Sequence, residues 1–232
     1  MSDRGAVIVG VGGLGAPAAA ALAAAGIARL GLIDADVVEL SNLPRQPLYG
    51  SDDVGLAKVE VTAQRLRAAR PELATVATRE RVEAASAQRL LAGWDVIVDG
   101  TDSLPSKALL NETALALGTP LVHAGAVGLD GQLMTILPGR SACLRCLFPE
   151  LPAADDLPTC QQAGILGPVV GAVGLAAASE ALRIVDRRAP ELANRLAILD
   201  GVRLRWRTVT VMPNPRCPSC AAAQSPAAHR PG

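Results

Sequence analysis

Apolar residues along this chain gather into short unbroken runs, and between the runs their spacing lengthens to that of helices. Residues 6–10, 30–34 and 94–99 each hold such a run, the last two ending in Asp34 and Asp99, the pattern of strands buried on both faces of a parallel sheet. An Ala-rich segment ending near Gly26 predicts a helix between the first two, and residues 35–54 read as a loop. From Gly55 to Arg70, Val59, Thr62, Ala63 and Leu66 recur at helical spacing until Pro71 stops them, and a strand is expected near 73–78. Helices are predicted over 86–92 and 105–117. Then the period changes: 120–127 and 132–137 flank Gly128-Leu-Asp-Gly131, a hairpin signal. The expected fold is α/β and Rossmann-like, with a mixed sheet that is parallel in its N-terminal half and antiparallel in its C-terminal half. Residues 138–167 and 213–232 read as Pro-, Gly- and Ala-rich loop or tail, and 186–212 are assigned no element.

One stretch resembles a membrane span. Residues 163–179 carry no charge, but Gly164, Gly167, Pro168, Gly171 and Gly174 dilute their hydrophobicity, and Glu180 and Arg183 follow. A buried core helix is the expectation.

A chain of 232 residues that is 50% hydrophobic can bury one large core, and no shift in composition marks a second domain. The division expected is a single domain over 1–220, with a nucleotide-binding half (1–137) and a C-terminal part (138–220), then a tail (221–232). Lys plus Arg (22) equals Asp plus Glu (22), so no net field draws in nucleic acid or an anionic membrane. The N-terminus lacks a secretion signal, so a cytoplasmic protein is expected. In that reducing setting cysteines favour metal or catalysis over disulfides.

The first run leads into Gly10-Val-Gly-Gly-Leu-Gly15. Glycines permit a tight turn and a close approach of phosphate to backbone, while the following helix offers free N–H groups. The same turn could also join strand to helix with no ligand. Asp34, at the tip of the next strand, stands where an acid can take ribose hydroxyls, and NAD and ATP fit these features equally. Arg45 and Lys58 lie downstream, at the sheet's carboxyl edge, where two cations suit charge developing on a phosphate; alone, each reads as a surface cation. Asp99 and Asp102 close the third strand, where a carboxylate can hold Mg²⁺, and Asp102 or Ser103 could instead cap the next helix. Cys143-x-x-Cys146 and Cys217-x-x-Cys220 are two knuckles able to close a structural Zn²⁺ site.

These residues resemble the ThiF/MoeB family of adenylyltransferases that activate ubiquitin-like and sulfur-carrier proteins. The resemblance runs from Val7 to about Cys220. It rests on the glycine loop, Asp34 with Asp36, Ser41-Asn-Leu-Pro-Arg-Gln46, Asp53-Val-Gly-Leu-Ala-Lys58, Gly100-Thr-Asp102, Gly125-Ala-Val-Gly-Leu-Asp-Gly-Gln132, Cys143-Leu-Arg-Cys-Leu-Phe148 and Cys160-Gln-Gln-Ala-Gly-Ile-Leu-Gly-Pro168. It implies a homodimer that binds ATP·Mg²⁺ and the Gly-Gly tail of a small ubiquitin-like sulfur carrier of the ThiS/MoaD type, and that forms an acyl adenylate. On that basis Asp34, with Asp36 beside it, holds ribose. Gly10, Gly12, Gly13, Leu14 and Gly15 cradle phosphates with Arg45. Lys58 meets the α-phosphate, Asp102 the magnesium, and Asn42 and Gln46 give polar support.

Cys160 stands where some members carry a cysteine that joins the carrier, and it reads equally as a bystander thiol. His123 reads as a core histidine, and His229 as an exposed one. Family members usually have an extra helical segment before the first strand that lends an arginine to the neighbouring subunit; Met1–Gly5 leave Arg4 unable to take its place. Ser103 and Lys107 stand where Asn and Arg are usual. With aromatics at 2%, aliphatic residues would have to line an adenine pocket. Two other readings stay open: adenylation of a peptide or small acid, and a nucleotide-binding scaffold without catalysis.

Overall fold

Runs that are apolar at every position need cover on both faces, and the chain provides it with helices on either side of one eight-stranded sheet. The computed structural model describes residues 4–150 and 164–221. Strands β1 (Gly5–Val9), β2 (Arg29–Ile33), β3 (Ala74–Thr78), β4 (Val96–Asp99), β5 (Leu121–Val127), β6 (Asp130–Ile136), β7 (Arg195–Asp200) and β8 (Arg205–Thr210) lie in the order β3-β2-β1-β4-β5-β6-β7-β8. The first five in that order pair in parallel, and β5 to β8 pair antiparallel. The mixed sheet expected from the sequence is thus observed.

Alternation within β1 shows the two layers. Ala6 and Ile8 belong to a core formed with helices α1 (Gly15–Ala24), α2 (Lys58–Ala69) and α6 (Gly167–Val185). Val7 and Val9 belong to a second core on the opposite face, with α3 (Ala87–Leu91), α4 (Leu104–Leu117) and α5 (Leu144–Leu147). The loop expected over 35–54 contains two short 3-10 turns, Leu40–Arg45 and Ser51–Asp53.

Helix α6 is long and apolar enough to cross a membrane by length and composition. Here it is a core helix: Val169, Val170, Val173, Ala177, Ala178 and Ala181 are buried against α1 and the sheet. A Cβ at Gly174 would collide with the Leu14 carbonyl, so glycine there lets α6 seat on the start of α1. That contact falls on the last turn of the glycine loop, at Leu14.

The hairpin of β7 and β8 was not expected. Its outer strand is exposed along its whole length, so it carries none of the inward-facing alternation that marks a strand in a sequence. Arg205 and Arg207 on this edge are charges that discourage pairing with another chain.

Candidate active site

The paired ends of three adjacent strands define one crevice. Val9 of β1 is level with Ile33 of β2 and with Asp99 of β4, so Gly10, Asp34 and Gly100 leave the sheet together at its carboxyl edge, where open α/β sheets bind ligands. Gly10 has φ +85°, and a Cβ there would come within 2.8 Å of the Gly100 carbonyl; one on Gly15 would collide with the Gly10 carbonyl. The loop is therefore glycine for backbone reasons before any ligand is considered.

Around this loop most of the residues singled out in the sequence converge. Asp34 accepts the Val11 N–H (2.7 Å) and the Asp36 N–H (2.9 Å) through separate oxygens. Burial raises its pKa, an effect opposed by those amides and by Lys58. Each carboxylate oxygen retains a lone pair suited to a hydroxyl donor. The Lys58 side chain is buried and its Nζ lies 3.3 Å from Asp36 Oδ2. Asp36 is half exposed and also lies 3.7 Å from Arg81, so its carboxylate neutralises cations beside Asp34. Arg45 rests on its own turn, donating to the Ser41 carbonyl (3.1 Å) and to Asn42 Oδ1 (2.7 Å). Gln46 is buried, places Nε2 close to Gly12, and leaves Oε1 without a partner among the described residues. Gln46 therefore stands behind the glycine loop, and Asn42 holds Arg45 and Gln46 within their own turn.

The third strand's acids divide. Asp99 is fully buried and holds the Lys107 ammonium (3.1 Å), His123 Nδ1 (2.9 Å), and the Thr101 N–H and hydroxyl. Lys107 also donates to the Ala124 carbonyl. Burial acts to raise the Asp99 pKa, but Lys107, His123 and Thr101 outweigh it and hold the group down at about 2. With its lone pairs occupied, Asp99 is a clasp between β4, β5 and α4, which corrects the expectation of a strand-end metal ligand at this position. Asp102, two residues beyond the clasped peptide of Gly100, is exposed. The helix cap is Ser103, which accepts the Ser106 N–H.

His123 is a core residue as expected, and burial lowers its pKa. The Asp99 carboxylate can only accept, so Nδ1 carries the proton and Nε2 is left bare; no partner for it exists among the described residues. Arg4 donates to the Val185 carbonyl at the end of α6, and β1 starts beside it, so Arg4 sits at the amino edge of the sheet, away from the crevice. Cys160 and His229 lie outside the described residues.

A second site lies under the α4 face. The sulfurs of Cys143, Cys146, Cys217 and Cys220 all fall within 4.8 Å of one another, with 3.6 Å from Cys143 to Cys217 and 3.4 Å from Cys146 to Cys220. Four thiolates at ~2.3 Å from one zinc stand ~3.8 Å apart, so the set fits that ion in charge, donor type and span. The surroundings hold the cysteines in place: Asn214 N–H donates to Cys146 Sγ, and buried Asn111 fixes the first knuckle by accepting the Leu144 N–H. Burial pushes the Cys143 thiol up to about 12, so a cation would have to displace its proton.

Sequence reasoning missed Tyr49, Thr62, Arg81 and Asn111. None lies in a motif that carries chemistry by itself, and only their contacts reveal them.

The ThiF family model matches residues 2–219, nearly the whole chain. The chain belongs to the ThiF family. It is 40% identical to the SAMP-activating enzyme E1 of Haloferax volcanii over 92% of this chain and 79% of that protein. It is 37% identical to the sulfur carrier protein ThiS adenylyltransferase of Escherichia coli, over 96% and 88% respectively. Among solved structures, Escherichia coli MccB with MccA-N7isoASN superposes with a TM-score of 0.83 at 22% identity, covering 94% of this chain and 67% of that one; this likeness concerns the fold. This ThiF-family chain is an adenylyltransferase of the E1-like type.

Proposed function

We propose that this ThiF-family enzyme uses ATP·Mg²⁺ to activate the C-terminal glycine carboxylate of a small ubiquitin-like sulfur carrier of the ThiS/MoaD type. The observation that carries the reading is the convergence of the glycine loop, Asp34 and Lys58 on one sheet edge in a chain similar throughout to proteins named as a SAMP-activating enzyme E1 and as adenylyltransferases of sulfur carrier proteins.

In this reading a carboxylate oxygen of the carrier attacks the α-phosphorus, the bond from that phosphorus to the bridging oxygen breaks, and pyrophosphate leaves. No protein nucleophile is required, so catalysis is positioning and charge neutralisation. Asp34 takes the ribose hydroxyls, with Asp36 setting the charge beside it. The amides of Gly12, Gly13, Leu14 and Gly15 face phosphate; Gly10 provides the turn. Lys58 leaves Asp36 for the α-phosphate as charge builds, and Arg45 swings from its own turn. Asp102, exposed and uncommitted among the described contacts, would hold magnesium, whose charge, when bound, would offset that of the phosphates. Zn²⁺ in the tetracysteine cluster fastens the C-terminal strands to the loop after β6. The enzyme works as a cytoplasmic homodimer, and Cys160 is a candidate for the later sulfur-transfer step.

Mass spectrometry of Gly-Gly-tailed carriers incubated with enzyme, ATP and Mg²⁺ tests this. A carrier heavier by one AMP is expected. Pyrophosphate release driven only by short peptides, with every carrier unmodified, would transfer the activity to the peptide-adenylating alternative.

A further inference from the structure

Both backbone polar groups of Val11 are held. Its N–H donates to Asp34 Oδ2 at 2.7 Å, and its carbonyl accepts the Tyr49 hydroxyl at 2.6 Å. Tyr49 Oη also lies 2.9 Å from Thr62 Oγ1. A carbonyl can only accept, so the single Tyr49 proton goes to Val11 and Thr62 must donate to Tyr49. Tyr49 is 6% exposed and Thr62 0%. Burial raises the Tyr49 pKa, which keeps the hydroxyl a donor at any working pH.

The carbonyl that Tyr49 holds shares its planar peptide unit with the Gly12 N–H. In a trans peptide the two point in opposite directions, and no cis bond is present. Anchoring the oxygen toward the buried Tyr49 therefore turns the Gly12 N–H outward, to the crevice side. Gly12 has no Cβ to restrict its own φ, so on that side the local backbone resists rotation of this unit least. Thr62 belongs to α2, the helix that begins at Lys58, so one chain of hydrogen bonds ties the lysine's helix to the loop.

We infer that Tyr49, backed by Thr62, is a positioning residue that presets the Gly12 amide for a nucleotide phosphate. This rests on the proposed ATP site. The role is electrostatic preorganisation: the amide is aimed before the ligand arrives, so no reorganisation is needed at the moment of reaction.

The test compares ATP with adenosine. Tyr49→Phe keeps the ring and removes the hydroxyl that donates to Val11 and accepts from Thr62. Its affinity for ATP·Mg²⁺, measured by calorimetry, should fall about tenfold, the loss expected for one hydrogen bond to a charged group. Adenosine affinity, measured by competition, should hold within twofold, because adenosine has no phosphate for the amide to meet. In carrier-dependent pyrophosphate exchange the KM for ATP should rise while the KM for carrier stays fixed. Thr62→Val should produce a smaller change of the same kind, and Thr62→Ser, which keeps the hydroxyl, should restore wild-type values. ATP affinity unchanged in Tyr49→Phe, or ATP and adenosine weakened alike, overturns the inference while leaving the ATP site standing. A wild-type enzyme that binds no ATP overturns both.

Discussion

Lys58 is the residue whose chemistry can be separated most cleanly from its structural role. Its ion-pair partner Asp36 is half exposed, and Asp34, which also feels its charge, keeps the Val11 and Asp36 amides when the lysine is removed. Lys58→Ala should therefore abolish carrier-dependent ATP–pyrophosphate exchange with an unaltered thermal midpoint; an active variant would refute the role. Lys107 presents the opposite case, since its loss would leave Asp99 fully buried without its cation. Lys107→Met should lower stability by about 3–5 kcal/mol in denaturant titration. His123 sets a pH dependence. Its folded pKa lies below 6.5 because burial disfavours the cation, so below pH 6.5 the unfolded chain gains a proton that the folded one refuses. Its contribution is full above that pH and is lost as pH falls toward the folded value. The thermal midpoint should drop from pH 7 to pH 5, and His123→Gln should flatten that part of the curve. At this scale the sequence showed which residue types matter and hid their partners. Asp34 and Lys58 were legible because strand ends and helix starts place them. Asp99 was misjudged because an acid at a strand's end reads the same whether it faces solvent or a buried lysine from the following helix.

Elements were legible where burial imprinted a period. Strand β1, β2 after Arg29 and β4 before Asp99 are apolar because both faces are covered, and the hairpin of β5 and β6 is marked by its turn. The β7–β8 hairpin left no such imprint, since β8 buries nothing along its length. Its attachment comes partly from elsewhere: Val211 N–H donates to the Asn194 carbonyl, Asn194 Oδ1 accepts the Ala142 N–H, and Cys217 and Cys220 follow in the cysteine cluster. Zinc removal should act locally for this reason. Chelation under reducing conditions should speed amide exchange over 194–221 and leave β1, β2 and β4 protected. Uniform loss of protection, or none, would contradict the metal's assignment to this element.

The whole molecule joins two halves that meet at α6. This helix packs on α1 and on both parallel and antiparallel strands, and its glycines admit close contact with the backbone of the glycine loop and of Pro44 in the Arg45 turn. The change from parallel to antiparallel pairing followed from the switch in period at residue 120, whereas the strand order and the closure of α6 over the loop did not, because a helix's periodicity states that a face is buried without stating against what. The central claim is that the crevice at the carboxyl edge of β1, β2 and β4 braces a triphosphate. A crystal structure with ATP or a non-hydrolysable analogue and Mg²⁺ tests it most directly. The account predicts ribose hydroxyls on Asp34, phosphates over Gly12 and Gly13, and Lys58 turned from Asp36 to the α-phosphate; a nucleotide bound elsewhere, or one whose phosphates lie beyond reach of Lys58 and the glycine loop, would contradict it.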